Sequence, residues 1–228
     1  MLSQPLPQLP QLPQLVSRFV DRFVASLEAS ASPAPQPFID NIRGVAAGLA
    51  SPILNPSTGH PALRFLGSAL GAQHAEPQLC AAVRALAPQL SFGSSYALEG
   101  KLAAVANGMV WAEIAGPNGL VRDASRRLGL FLLEPRLHYP LHGHVAEEIY
   151  FVLSGTLTVE HGFEGARVVV APGGIYRTPS GQAHALHVGD EPLLMIYCWI
   201  GDFSVPTWLH ERDAAGRWQQ TVPGVVRR

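Results

Sequence analysis

The apolar residues near the start of the chain recur at helical spacing. In residues 15–29 they fall every three or four positions, with charged side chains between them: Leu15, Val16, Phe19, Val20, Phe23, Val24 and Leu27. This period predicts an amphipathic helix that buries one face. Residues 38–50, 62–72 and 76–90 show similar patterns, and Pro77 suits the first turn of the last of these helices. Residues 15–95 are therefore predicted to form a mostly helical region.

The segment 1–14 has a different character. Prolines recur within it among Gln and Leu residues, at positions 5, 7, 10 and 13. Proline fixes the backbone and lacks the amide hydrogen, so this density blocks helix and sheet pairing and favours an extended arm. We predict a disordered leader rich in Pro, Gln and Leu.

From about residue 100 the apolar residues form short runs separated by Gly, Pro, Asn and Asp. The runs lie at 102–105, 109–114, 128–133, 149–153, 156–160, 167–170, 175–177, 183–187 and 193–200. Many short strands at such even spacing are typical of an all-β sandwich or barrel. Residues 96–228 are therefore predicted to form a mainly β domain of barrel or jelly-roll type, preceded by the helical region.

Composition narrows the functional class. The chain has 228 residues, of which 47% are hydrophobic, and this fraction excludes global disorder. Charged residues make up only 14% and the net charge is −1, so we expect no nucleic-acid partner. The longest apolar run, 193–200, is too short to span a membrane. With two isolated cysteines and no signal-peptide pattern, we expect a protein of the reducing cytoplasm.

The chemically richest segment runs from His138 to Tyr150 and contains three histidines and two glutamates. On a strand, His142 and His144 point to the same face, and paired imidazoles are good ligands for a divalent first-row metal. Glu148 follows four residues later and can add a carboxylate oxygen. A fourth ligand must come from elsewhere in the chain, and His184 is the best candidate.

These residues resemble the two sequence motifs of the cupin superfamily. The first motif, two histidines, a glutamate and a glycine at fixed spacing, matches His142, His144, Glu148 and Gly155. The second motif matches Gly173, Pro179, Gly181 and His184. Two positions depart from the pattern, because Arg136 replaces the leading glycine and Val188 replaces a terminal asparagine. The resemblance implies a double-stranded β-helix, a jelly roll with the metal inside the barrel.

Within the cupins, the segment from His138 to Tyr150 is similar to that of the dimethylsulfoniopropionate (DMSP) lyases. That resemblance implies one divalent transition metal, Zn, Fe, Mn, Co or Ni, on His142, His144, Glu148 and His184. It implies that Tyr150, two residues after the metal-binding glutamate, is the catalytic base. Tyr139 is the second candidate and would bind the substrate carboxylate or share the base role. Helices ahead of the barrel also fit this family.

The implied substrate is a small zwitterion that carries a sulfonium and a carboxylate, and its cleavage to dimethyl sulfide and acrylate is a β-elimination. A sulfonium cation favours aromatic walls. The candidate substrate-binding residues are Tyr139, His138, Trp111, Phe131, Tyr197 and Trp199. His138 is included because it could orient a metal ligand or Tyr139. The apolar N-terminal helices also suggest a homodimer.

Three other functions fit a cupin site. A dioxygenase would use a similar metal centre together with O2. A sugar-phosphate isomerase would need Lys or Arg beside the metal, and near the motifs only Arg136 and Arg177 are basic. A non-catalytic binding module would often lack part of the ligand set. Here the set is complete and a tyrosine is added, which favours catalysis.

Overall fold

The computed structural model describes residues 12–30, 32–47, 59–72 and 76–223. The described N-terminal part is helical and the remainder is mainly β, as the sequence predicts. The α-helices are α1 (Leu12–Ala29), α2 (Gln36–Arg43), α3 (Leu66–Gly71), α4 (Pro77–Leu86) and α5 (Ala103–Gly108). Short 3₁₀ turns follow or precede them at Gly44–Ala47, Pro61–Phe65 and Ala87–Gln89. None of the helices described is long and apolar enough to cross a membrane.

Helix α1 begins three residues earlier than predicted. Its first turn contains Leu12 and Pro13, which had been assigned to the disordered leader of residues 1–14. Proline is tolerated in the first turn of a helix, where its missing amide hydrogen would have no partner in any case. The remainder of the predicted leader, residues 1–11, lies outside the described residues.

The run 102–105 was predicted as a strand, and the structure corrects this. These residues lead into helix α5, and the first strand begins only at Met109. A short apolar run has no period that separates helix from strand, and the alanines that follow favour a helix. The helical region therefore extends past the predicted boundary at residue 96.

In the described part of the chain, twelve strands form two six-stranded sheets that face each other as a jelly roll. The helix-side sheet has the order β2-β1-β3-β10-β5-β8 and the solvent-side sheet has the order β12-β11-β4-β9-β6-β7. The strands are β1 (Met109–Gly116), β2 (Val121–Arg122), β3 (Arg127–Leu133), β4 (His138–Gly143), β5 (Glu147–Ser154), β6 (Leu157–His161), β7 (Ala166–Val170), β8 (Ile175–Thr178), β9 (His184–Val188), β10 (Leu193–Ile200), β11 (Trp208–Arg212) and β12 (Trp218–Thr221).

The helix-side sheet is buried on both faces, which explains its nearly continuous apolar strands. Along β5, Phe151 packs outward into the core shared with the helices, whereas Tyr150 and Val152 belong to the core inside the barrel. The ring of Phe23 on α1 meets that of Phe151 at 5.7 Å, edge to face. This packing uses the apolar face of α1 within the chain, so that face does not supply the dimer interface suggested by the sequence.

Candidate active site

The predicted metal ligands converge between the two sheets. His142 on β4 pairs directly with His184 on β9 in the solvent-side sheet. Glu148 lies on β5 in the helix-side sheet, and His144 occupies the short connection between β4 and β5. Because the two sheets face each other, this connection brings ligands from both sheets to one point inside the barrel. All four side chains are buried.

Two left-handed backbone positions shape the segments around the site. Gly155, the glycine that ends the first motif, has φ 76°, and a Cβ added there would lie 2.5 Å from the carbonyl oxygen of Pro192. Arg136 has φ 61° and stands where the motif has its leading glycine. A left-handed turn that glycine adopts freely is therefore retained here with an arginine, at some conformational cost.

Backbone carbonyls fix the orientation of all three histidines. The Nδ1 atoms of His142, His144 and His184 donate to the carbonyl oxygens of Pro140, Ala146 and Gln182 at 2.9, 2.7 and 3.0 Å, respectively. A proton held on Nδ1 leaves the lone pair of a neutral ring on Nε2. Each imidazole therefore has the tautomer that a metal ligand needs, with Nε2 as the ligand atom.

His144, Glu148 and His184 form the tightest part of the cluster, with ligand atoms that all lie within 4.8 Å of one another. His144 Nε2 lies 3.0 Å from Glu148 Oε2, and His184 Nε2 lies 4.0 Å from the same oxygen. His184 Nε2 is buried and has no hydrogen-bond partner among the described residues. Where the Nε2 atoms of His144 and His184 both carry lone pairs, a divalent cation between them and the carboxylate of Glu148 would balance the charge.

The electrostatics of His142 and His184 agree with a metal-binding role, whereas His144 is hydrogen-bonded to Glu148. Burial lowers the pKa of His184 to about 4, and the neighbouring His144 contributes to the decrease. Burial and the adjacent His184 and His144 hold the pKa of His142 well below its usual value. For His144, burial acts to lower the pKa, but hydrogen bonding to Glu148 and its charge outweigh it, and the pKa is raised. His142 and His184 are thus neutral near pH 7, as metal binding requires.

His142 lies at the edge of this group. Its ring centroid is 4.0 Å from that of His184 and 6.3 Å from that of His144. The ring of Tyr139 stacks on His142 with centroids 3.9 Å apart. His142 is therefore adjacent to the three-residue group but does not belong to its tightest set of ligand atoms.

Both candidate bases face the interior of the barrel. Tyr150 is buried, and burial together with the charge of Glu148 and a hydrogen bond to it raises its pKa well above the usual value. Burial also raises the pKa of Tyr139 well above its usual value, with a contribution from the neighbouring Tyr96. The hydroxyl of Tyr139 makes a short hydrogen bond with that of Tyr96.

A cavity of about 350 Å³ opens beside the cluster. The predicted aromatic residues line it, together with both tyrosines and three of the predicted metal ligands: Trp111, Phe131, Tyr139, Tyr150, Tyr197, Trp199, His142, His144 and Glu148. Trp199 also stacks on His144 with ring centroids 4.4 Å apart. A small organic molecule in this cavity would contact aromatic rings and the His/Glu group at once.

His138 does not reach the cavity, which corrects the sequence prediction. Its side chain is exposed and stacks on His187 on the outer face of the solvent-side sheet, with ring centroids 4.4 Å apart. In a regular strand, residues two apart face the same side, so His138 would face the barrel interior like His142. The register of β4 shifts between Tyr139 and His142, so Tyr139 takes the inward face and His138 the outward one.

The cavity wall also contains residues that were not predicted from the sequence: Ser95, Tyr96, Met109, Arg127, Phe203, Ser204, Val205, Pro206 and Thr207. Arg127 could have been found, because strand alternation places it on the same face as the predicted Phe131. Tyr96 and residues 203–207 lie in connections between elements, where no periodic pattern indicates orientation.

A two-sheet jelly roll with a buried His/Glu group between its sheets that could hold a metal defines this chain as a cupin. The sequence profile of the DMSP lyases matches residues 45–195, well over half of the chain. The protein therefore belongs to the DMSP lyase family.

Individual relatives agree with this assignment. The chain is 40% identical over 67 residues to the DMSP lyase DddQ of Ruegeria pomeroyi, and the match spans 29% of this chain and 32% of that protein. The crystal structure of DddQ from Ruegeria pomeroyi DSS-3 superposes with a TM-score of 0.71 at 22% identity, covering 89% of this chain and 97% of that one.

A chain from the crystal structures of the DMSP lyases RdDddP and RnDddQII has a TM-score of 0.66 at 22% identity. It covers 88% of this chain and 100% of that one. At this identity the two structural likenesses show a shared fold.

Proposed function

We propose that the protein is a metal-dependent lyase that cleaves DMSP to dimethyl sulfide and acrylate. The observation that carries this proposal is the shared cavity. In a chain of the DMSP lyase family, Tyr150 and the buried group of His144 and Glu148 line the same aromatic space. A base, a cation site and a wall suited to a sulfonium are the components that this elimination needs.

His144, Glu148 and His184 would hold the metal, with His142 as the fourth ligand. Nitrogen and oxygen donors in this ratio suit Zn, Fe, Mn, Co or Ni. The bound ion supplies positive charge that stabilises negative charge developing beside the substrate carboxylate and favours the ionised form of a nearby phenol. That charge matters here, because burial and Glu148 otherwise raise the pKa of Tyr150 well above its usual value.

Tyr150 takes the proton from the carbon next to the carboxylate. The electron pair of the broken C–H bond forms the C=C bond of acrylate, and the pair of the broken C–S bond leaves on sulfur as neutral dimethyl sulfide. The proton ends on the phenol oxygen of Tyr150, and the negative charge of the base is removed in the same step. Tyr139, held by Tyr96, contacts the substrate carboxylate or shares the base role.

The aromatic rings bind the other end of the substrate. Phe131 lies against both Tyr150 and Tyr197, with ring centroids 6.4 and 6.2 Å apart. The negative faces of such rings attract a desolvated cation.

The test is headspace gas chromatography for dimethyl sulfide with the purified full-length protein. The protein is stripped with a chelator and assayed with DMSP before and after addition of each divalent metal, with and without O2. We expect dimethyl sulfide and acrylate in equal amounts, only with metal and equally without O2. An oxygen requirement would favour a dioxygenase, and no dimethyl sulfide with any bound metal would contradict the proposal.

A further inference from the structure

Arg127 is a cation on the cavity wall that has no role in the proposed elimination. It begins β3 and lines the same cavity as Glu148 and Tyr150. Its Nε is buried and has no hydrogen-bond partner among the described residues. The nearest carboxylate oxygen, Glu113 Oε1, lies 3.7 Å from Nε, which is too long for a hydrogen bond. A partly buried guanidinium with unused donors is suited to an anionic ligand.

The surroundings of Arg127 hold its guanidinium in place. The carboxyl group of Glu113 is buried and accepts a hydrogen bond from the backbone amide of Asn118 at 2.7 Å, so its position beside Arg127 is fixed. On the cavity side, the guanidinium carbon lies 5.7 Å from the ring centroid of Trp199 and 5.6 Å from that of Phe203. Arg127 is thus positioned before any ligand binds, which lowers the entropic cost of recognition.

The sheet register places Arg127 level with the metal-binding group. Arg127 on β3 is the direct partner of Trp199 on β10, and Trp199 is the direct partner of Glu148 on β5. Arg127, Trp199 and Glu148 thus form one row, that is, a set of residues aligned side by side on neighbouring strands. Arg127 and Glu148 are two strands apart in this row, so their backbones are about 10 Å apart. Long side chains from both ends of this row can reach a small group bound between them.

The next rows of the barrel interior have a different chemistry. Tyr197 pairs with Tyr150 one row deeper, and Phe131 pairs with Met195 in the row after that. At the position opposite Tyr197 on β3 stands Gly129, where an added Cβ would come within 2.8 Å of the Tyr197 ring. The interior thus changes from charged to phenolic to apolar within three rows.

We propose that Arg127 binds the carboxylate of the substrate and makes the site selective for sulfonium compounds that carry one. The inference rests on the proposed function. The guanidinium fork receives the carboxylate in the charged row, and the sulfonium extends toward Phe131 and Tyr197. The carbon that loses its proton then lies at the level of Tyr150. Glu113 is a positioning residue that acts through Arg127.

The first experiment measures binding of propionate and of its neutral analogue propionamide to the metal-loaded protein by titration calorimetry. Neither compound carries a sulfonium or undergoes elimination. We expect Arg127→Gln to weaken propionate binding about 10- to 100-fold, the range of a charge-assisted hydrogen bond, and to leave propionamide unchanged. The matched control is Arg177→Gln, because Arg177 is exposed on β8 and pairs with Glu147 outside the cavity.

Kinetics with DMSP give a second readout. Arg127→Gln is expected to raise KM by a similar factor with a smaller change in kcat, as for a binding contact present before the transition state. If Arg127→Gln does not fold, Arg127→Lys replaces it, because lysine keeps the charge but loses the planar fork. We then expect propionate to bind several-fold more weakly than to the wild type, with propionamide unchanged.

Equal propionate binding by the wild type and the folded variant would overturn the proposal, as would a wild type that does not prefer propionate to propionamide. Failure of the proposed function has a different signature. In that case the wild type releases no dimethyl sulfide, while the loss of propionate binding in Arg127→Gln would still support Arg127 as a carboxylate-binding residue.

Discussion

The indole of Trp199 stacks on the imidazole of His144, with ring centroids 4.4 Å apart and planes inclined by 29°. His144 lies in a connection between strands, so it lacks the rigid support that β4 and β9 give to His142 and His184. The Nδ1 hydrogen bond to Ala146 fixes one end of its ring, and Trp199 fixes the ring plane. Trp199 therefore supports the proposed metal ligand His144 as well as lining the cavity.

The first prediction follows from this stack. Trp199→Ala is expected to weaken metal affinity about tenfold, the lower end of the effect of residues that orient metal ligands. Competition with a chelator of known affinity measures it. Trp218→Phe is the control, because Trp218 is exposed on β12 and does not line the cavity. Unchanged affinity in Trp199→Ala would show that the stack does not support His144.

The second prediction concerns the ligands themselves. His144→Ala and His184→Ala are each expected to lower metal affinity at least about 100-fold and to lower activity in parallel. This loss exceeds the usual effect of replacing a residue that only orients a metal ligand. Metal content by mass spectrometry and dimethyl sulfide release are measured on the same samples. His187→Ala should retain both, because His187 faces outward and contacts Glu160. Full metal content in His184→Ala would remove it from the ligand set.

The third prediction is a pH dependence of the metal-free protein. Burial lowers the pKa of His184 to about 4 in the folded state, against about 6.5 in an unfolded chain. Between these values the unfolded chain binds more protons, so the free energy of unfolding falls as the pH falls through this window. Each unit of difference in pKa is worth about 1.4 kcal/mol.

Urea unfolding at pH 7, 6 and 5 measures this slope. We expect His184→Gln to have a shallower slope than the wild type, because glutamine has no proton to gain. His187→Gln, on the outer face, is the matched control and should keep the wild-type slope. A slope that is the same in His184→Gln and the wild type would show that His184 does not carry the effect.

The sequence was sufficient to predict strand β5, which holds Glu148 and Tyr150, but β4, which holds His142, was not among the predicted apolar runs. Tyr150 follows Glu148 by two residues on one strand, so its inward direction could be predicted without the fold. Arg127 could not be connected to Glu148, because their relation depends on how β3, β10 and β5 align, and residues distant in sequence set that alignment. The register shift after Tyr139 likewise reversed the expected direction of His138.

The last prediction concerns the base. Tyr150 is the proposed base because it follows Glu148 by two residues on β5 and is buried in the barrel. Tyr150→Phe keeps the ring that packs against Phe131 and removes only the hydroxyl. We expect kcat for dimethyl sulfide release to fall at least about 100-fold, the lower end of what a positioned base contributes. Metal content and melting temperature should remain close to those of the wild type.

Tyr139→Phe is the matched comparison, because Tyr139 is also buried and lines the same cavity but stacks on His142. If Tyr150 is the base, Tyr139→Phe should lower kcat less than Tyr150→Phe does. Retention of more than about a third of the wild-type turnover by Tyr150→Phe would exclude Tyr150 as the base, since loss of a general base costs far more. Tyr139, whose hydroxyl is hydrogen-bonded to that of Tyr96, would then be the next candidate for the residue that takes the proton.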